Sequence, residues 1–301
     1  MHHTDMIKFI REVFPEKFNL GDDSLLYHYT TADVFDKLVE EGGELYCTHY
    51  MDLNDKVEFW KGFKYFSDYL VRKYGNEPKE EILELQTAMK SLKDVWRKLH
   101  KLYVDAPWIM SFTTERDSLS QWRSYTDHTN GGVSVGFEKN GLENVLQECR
   151  EKNGAGWDVV LLPCIYYGSG VDERLDRLID LLLERIDTNL SLWPEELNRT
   201  IYLLSSIIKD ASFEMEHEWR LVIQATDKVA LKGAQVIGGK ARLPLGIGMK
   251  GERRVGGLMK EVLLSPHGNK NRLWHSVTLP KYSCDGLSYK LHSSSLSYNG
   301  K

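Results

Sequence analysis

Glu216 and Glu218, within the stretch Phe213 to Val222 (FEMEHEWRLV), are the first residues of this chain whose type and spacing could do chemistry. Read as extended chain, Phe213 to Ala225 puts Glu214, Glu216, Glu218 and Arg220 on one face and His217, Trp219 and Leu221 on the other. Carboxylates so close repel, which pushes one toward its protonated form unless Arg220 compensates. Such a pair can stabilise developing positive charge or move a proton. The bland alternative is a solvated strand edge with a surface Glu218–Arg220 pair of small energetic weight.

Three further sets of residues stand out. In Leu25 to Thr30 (LLYHYT), alternation puts His28 and Thr30 on one face and Tyr27 and Tyr29 on the other, a possible ligand cradle. The competing reading of His28 is a core histidine bonded to backbone. In Pro107 to Thr113 (PWIMSFT), Ser111 and Thr113 share a face, and Ser111 is read either as a ligand contact or as a small residue tolerated in a sheet. On the helix that follows, around Leu119 to Tyr125 with Ser118 as its cap, Tyr125 offers a ring for a planar or cationic group; packing beside Trp122 is its ordinary alternative. Asp52, Asn54, Asp55 and Glu58 could hold a hard metal but lack diagnostic spacing, and capping of a helix beginning near Lys56 explains them better. Cys47, His49 and His28 do not have structural zinc spacing, so no metal site is expected.

The elements that must position these residues follow from periodicity. Thr31 can cap a short helix whose apolar residues are Val34, Phe35, Leu38 and Val39, and Glu44 to Thr48 returns as a strand. Phe59, Phe63, Phe66 and Leu70, then Ile82, Leu85, Met89, Leu92, Trp96, Leu99 and Tyr103, predict a helical hairpin over about 55–104. A second helical excursion, over about 171–213, rests on Leu175, Leu178, Leu182 and Ile186 and on Leu197, Ile201, Leu204 and Ile208. Further strands are predicted at Val133 to Phe137, Val159 to Tyr167, Gln235 to Leu245, Glu261 to Leu264, Ser276 to Leu279 and Leu287 to Leu291. Because helices arrive in pairs between strands, the expected architecture is one α+β domain spanning 1–301, with a mainly antiparallel sheet and two helical-hairpin insertions. Neither a G-x-G-x-x-G nor a G-x-x-x-x-G-K phosphate cradle occurs.

A net charge of -5 argues against non-specific coating of nucleic acid. Four scattered cysteines, the lack of a signal-peptide pattern and the lack of a long apolar run predict a cytoplasmic protein with reduced thiols and no membrane contact.

Leu-Tyr-His-Tyr-Thr at 26–30, the Asn54-Asp55 pair, Trp122, Tyr125, Gly132 and the Glu216-x-Glu218-Trp-Arg segment resemble a bacterial family known only as domain of unknown function 2971. More distantly, the His28 strand and the Glu-x-Glu resemble ADP-ribosyltransferases. That resemblance implies an ADP-ribosyltransferase-like fold and an NAD-consuming enzyme without a metal, such as a bacterial toxin or phage-defence effector. It implies NAD as co-substrate and an unidentified macromolecular acceptor, protein or nucleic acid. It makes Glu218 catalytic with Glu216 orienting the acceptor, and it puts His28 and Thr30 on the adenosine-side ribose, with Ser111 and Tyr125 nearby. The alternatives are a non-catalytic ligand-binding or sensor module of the same unknown-function family and a metal-dependent nuclease using Asp52, Asp55 and Glu58.

Overall fold

The computed structural model describes residues 3–21, 24–39, 43–55, 57–74, 106–152, 156–168, 172–187, 193–225, 231–248, 257–283 and 289–296. Helix α1 (His3–Val13) precedes β1 (Leu25–Thr31), α2 (Ala32–Val39) and β2 (Glu44–His49). Then come α3 (Glu58–Tyr74), β3 (Pro107–Thr113), α4 (Leu119–Tyr125), β4 (Gly132–Glu138) and α5 (Lys139–Lys152). They are followed by β5 (Trp157–Pro163), β6 (Ile165–Tyr167), α6 (Asp172–Asp187), α7 (Trp193–Ile207), β7 (Ile208–Asp210) and β8 (Glu218–Ala225). The last described elements are β9 (Gln235–Ile237), β10 (Lys240–Gly248), β11 (Met259–Leu264), α8 (Lys270–Ser283) and β12 (Lys290–Ser293).

The architecture is α+β, built on an open, mostly antiparallel sheet of ten strands. The sheet forks at β3. One edge of β3 pairs along its length with β8, which pairs in turn with β5. The other edge is shared: Trp108 and Ile109 pair with β2, whereas Thr113 pairs with Tyr27 of β1. One arm of the fork continues through β10 to β9, and the other through β4 and β11 to β12. Within this sheet the β11–β12 pair is parallel, and β6 and β7 form a separate parallel pair.

Apolar periodicity decides what covers each face. Helices α2, α5 and α8 cover one side over a core that includes Phe35, Leu146, Val277, Trp108 and Phe112. Helices α1, α3, α6 and α7 cover the other, with Ile10, Phe66, Leu178 and Leu204 packed on Val160 and Val222. Gly62 lets α3 lie close to α7, since a Cβ there would come within 2.9 Å of Ser205 Cα and O. Thr31 caps α2 by accepting from the Val34 N–H, and Asp55 accepts from Val57 N–H just before α3. Val34 is half exposed; Ala32 takes its place beside Phe35, Leu38 and Val39, as a spacing of three and four requires.

The structure departs from the sequence expectations at several points: the single strands expected at Val159 to Tyr167 and Gln235 to Leu245 each divide in two, as β5 and β6 and as β9 and β10. Ser276 to Leu279 lies inside α8, where Leu273 and Val277, four apart, reach the core; the alternation of a short segment imitated a strand. Helix α5 was not anticipated, although Leu142 and Leu146 carry the same spacing. Ser118 precedes α4 without a side-chain cap; its N–H donates instead to the Tyr29 hydroxyl. The second helix expected over Ile82 to Tyr103 lies outside the described residues.

Gly131, at φ +78°, ends the turn before β4, and a Cβ there would meet His267 O and Ser265 Oγ at 2.8 Å. Gly131→Ala is therefore expected to lower stability by about 1–3 kcal/mol, through left-handed strain and the lost close approach. Urea unfolding of the two proteins measures it, and equal midpoints would show the turn to be unstrained.

Candidate functional site

Directly paired residues of antiparallel strands point to the same face. Tyr27 opposes Thr113 and Thr113 opposes Glu218, while Ser111 opposes Arg220. The face carrying Tyr27, Tyr29, Ser111, Thr113, Glu218 and Arg220 thus runs across the fork and beneath α3 and α7. His28 and Thr30 belong to the opposite face, contrary to the expected cradle with Glu218. The His28 ring still reaches the fork: its Nδ1 lies 2.9 Å from Ser111 O, and because a carbonyl can only accept, that nitrogen donates. Burial pulls the His28 pKa down against this bond.

The expected strand from Phe213 begins only at Glu218. Residues Ala211–Glu216 form a 3-10 turn, and His217 is left-handed at φ 41°. Glu216 therefore reaches Glu218 by a turn and not by strand alternation, and Glu214 is displaced from the carboxylate face. Asp210 caps the turn by accepting from Ser212 N, and Thr113 Oγ1 donates to Glu216 O at 2.6 Å.

These segments meet in a buried ion network. Glu58, Lys209, Glu218 and Arg220 are 6, 2, 4 and 3% exposed, which overturns the solvated surface pair. Arg220 Nε donates to Glu218 Oε1 at 2.8 Å, its NH2 to Glu58 Oε1 at 2.5 Å, and its NH1 to Ser206 O at 2.6 Å. Lys209 Nζ lies 2.5 Å from Glu218 Oε2, 2.6 Å from Glu216 Oε2 and 3.3 Å from Glu58 Oε1. Burial alone pushes the Glu218 carboxyl up, but the Arg220 and Lys209 charges hold it well below the ordinary value of 4.5. Glu216 goes the other way: burial raises it more than Lys209 lowers it. Three carboxylates face two cations, and Glu216 is the one left without a full counter-charge.

Beyond Glu216 and Glu218 the same face opens into a pocket of about 40 Å³. Its lining brings together His28, Ser111, Tyr125, Glu216 and Glu218, and Thr30 is outside it. Tyr27, Tyr29, Phe112 and Thr113 add walls, and Gln121 joins Tyr125 from α4. The Tyr27 hydroxyl donates to Glu261 Oε1 at 2.5 Å and the Tyr29 hydroxyl to Glu115 O at 2.9 Å, so both hydroxyls are engaged. Among the described residues the side chains of Ser111, Gln121 and Tyr125 make no hydrogen bond, so these polar groups remain for a ligand. Burial raises the Tyr125 phenol, and the Glu218 and Glu216 charges raise it further.

Sequence reasoning missed Gln121 and Lys209, and it grouped Glu58 with the loop carboxylates instead of with Arg220. Gln121 precedes Tyr125 by one helical turn and so shares its face. Lys209 closes the apolar run Ile201 to Ile208 and is followed by Asp210, so nothing local marked it as buried. The carboxylates proposed for a nuclease are not gathered: Asp52 accepts from Ala241 N, Asp55 from Val57 N, and Glu58 belongs to the ion network. Among the described residues no three His, Cys, Asp or Glu side chains are placed to hold a metal, and no helix is long and apolar enough to cross a membrane.

Residues 121–221 match the model of a family described as "Protein of unknown function (DUF2971)". No curated protein and no solved structure matches the chain. The matched span includes Gln121, Tyr125, Lys209, Glu216, Glu218 and Arg220, whereas His28, Glu58 and Ser111 reach the site from outside it.

Removing one partner of a buried charge network leaves the others uncompensated. Arg220→Met is expected to cost about 3–5 kcal/mol in urea unfolding. Glu218, held below its unfolded value, contributes stability above pH 4.5 that is lost as pH falls through its folded value. Glu216, raised, contributes in the opposite sense, its share fully present below 4.5 and lost as pH rises through its folded value. The wild-type unfolding free energy should therefore drop from about pH 5 to 3, and less steeply in Arg220→Met. Parallel pH profiles would mean that Arg220 does not hold the Glu218 charge.

Proposed function

We propose that this protein is an NAD-consuming, ADP-ribosyltransferase-like enzyme. One observation carries the reading: His28, Ser111, Tyr125, Glu216 and Glu218, drawn from four separate segments, line one pocket. The nicotinamide end of NAD, a planar cation, enters beside the Tyr125 ring, which attracts such a group. The bond between the ribose C1′ and the ring nitrogen breaks, its electron pair returns to the ring, and neutral nicotinamide leaves. The ribose becomes oxocarbenium-like, and the acceptor adds to C1′.

The two carboxylates divide the work. Glu218, kept ionised and rigid by Arg220 and Lys209, presents a fixed negative charge to the developing cation. Glu216 has one oxygen on Lys209 and a raised pKa, and it takes the proton that the acceptor loses. The adenosine-side ribose is not assigned to His28 and Thr30, because Thr30 faces away from the pocket and His28 Nδ1 is spent on Ser111 O. The acceptor is a macromolecule, protein or nucleic acid, and the setting that of a cytoplasmic toxin or defence effector.

A second reading, a non-catalytic sensor or binding module, is favoured by both Glu218 oxygens being occupied and by the small pocket. Nicotinamide release and calorimetric NAD binding separate the two. Glu216→Gln is expected to lower release on the order of a hundredfold with NAD affinity little changed, since its contribution appears in the transition state. Glu218→Gln should lose as much turnover and also unfold at lower urea, because it strips Arg220 and Lys209 of charge. NAD binding without release under any acceptor would establish the binding module, and absence of binding would end the transferase reading.

A further inference from the structure

Arg242 of β10 stands directly opposite Thr48 of β2, and its NH1 donates to the Thr48 hydroxyl in a short bond. The guanidinium is partly buried, yet among the described residues no carboxylate lies within ion-pair distance of it. Asp52 acts on it only from farther off, and one Asp52 oxygen already accepts from the Ala241 N–H at 2.8 Å. Burial lowers the Arg242 pKa more than Asp52 and Cys47 raise it. Thr48 is 7% exposed; its oxygen accepts from Arg242, and among the described residues its own O–H has no acceptor. Lys240, two residues before Arg242 and so on the same strand face, adds a second positive charge, with Nζ on Asn54 Oδ1 at 2.9 Å. The corner between β2 and β10 is thus rich in donors and short of acceptors. A cation and a hydroxyl withdrawn from water without acceptors are costly, and an anion is the group that completes both.

The donors narrow the anion. With NH1 on Thr48, the Nε–NH2 edge of the guanidinium is open and matches two oxygens of a carboxylate or phosphate. The Thr48 O–H is a third donor and calls for a third oxygen. A carboxylate has two. A phosphodiester, like each phosphorus of a dinucleotide's diphosphate, has two outside its bridges. A terminal phosphate has three. We propose that Arg242 and Thr48 form a binding site for a terminal phosphate, as a monoester or as the free ion, separate from the pocket at Glu216. Neither residue lines that pocket, and the inference rests on neither reading of it.

Calorimetry and thermal melting in phosphate-free buffer test it on the wild type, Arg242→Gln and Thr48→Val. Inorganic phosphate and phenyl phosphate are expected to bind the wild type with a Kd on the order of 1 mM or tighter, and to raise its Tm. Tighter binding of phenyl phosphate assigns the monoester, and the reverse assigns the free ion. Dimethyl phosphate, with two oxygens to offer, should bind about tenfold more weakly than either. Phenyl sulfate carries the same single charge as dimethyl phosphate but three terminal oxygens, so it should bind more tightly than dimethyl phosphate. Arg242→Gln, which removes the charge, should weaken phosphate about tenfold or more. Thr48→Val keeps the shape and the Arg242 charge and should weaken it about three- to tenfold; it decides the matter where Arg242→Gln fails to fold. No binding of phosphate or phenyl phosphate to the wild type overturns the proposal. So does an unchanged affinity in either variant, or dimethyl phosphate binding as well as phenyl sulfate. Displacement of bound phosphate by NAD would make this corner part of the Glu216 pocket and overturn it too, whereas the transferase reading stands or falls separately on nicotinamide release.

Discussion

Two cations buried under α3 and α7 must have carboxylates within reach, because an unpaired charge at that depth is among the most expensive features a fold can carry. Arg220 and Lys209 impose that condition on four elements at once. Helix α3 has to start where Glu58 reaches the Arg220 guanidinium. It has to lie close on α7, which Gly62 permits, and α7 has to end with Ser206 O aimed at the same group. Strand β7 has to bring Lys209 back over β8, and the turn at Ala211–Glu216 has to curl until Glu216 meets it. Helix packing on this side of the sheet is thereby fixed by directional contacts as well as by apolar area. The pocket's acidic wall is the outer edge of the same network.

The fork at β3 explains why the pocket lies where it does. A strand that shares one edge between β1 and β2 cannot give both a full ladder, and only Tyr27 and Thr113 are paired across the β1 side. Backbone groups near the split then need other partners. The Ser111 carbonyl finds the His28 ring, and Tyr29 ties β1 to the segment after β3 through Glu115 O and Ser118 N. Side chains fill the divergence where main-chain bonds stop, and a concavity lined by aromatic and polar groups results.

Much of this was legible in the sequence, and for definite reasons. Apolar and aromatic runs marked β1, β3, β4 and β8, the last three buried on nearly every residue, and spacing of three and four marked α3 and α6, each of which buries one apolar face on the sheet. Ser111, Tyr125, Glu216 and Glu218 stood out as polar groups in apolar frames, and such residues need a partner or a purpose. The face that His28 and Thr30 occupy was not legible, since it depends on which strands meet at the fork. Nor could alternation reveal that Glu216 arrives by a left-handed turn at His217, because a single residue in that conformation leaves no periodic trace. Glu58 and Lys209 sit 151 positions apart, the difference of their numbers, and nothing local links them.

That pairing bears on what the matched segment 121–221 can be by itself. It contains β4 and the first half of β8, to Leu221, but β4 is flanked by β1 and β11, and β8 by β3 and β5. Of those four neighbours only β5 lies within the segment. Excised, it would present β4 with both edges bare and Arg220 without Glu58. The span is therefore not a modular unit that evolution could move intact from one protein to another. It can travel only with strands from before and after it, so any chain that carries it in folded form has to supply a β1, a β3, a β11 and an acidic helix start from elsewhere in its length.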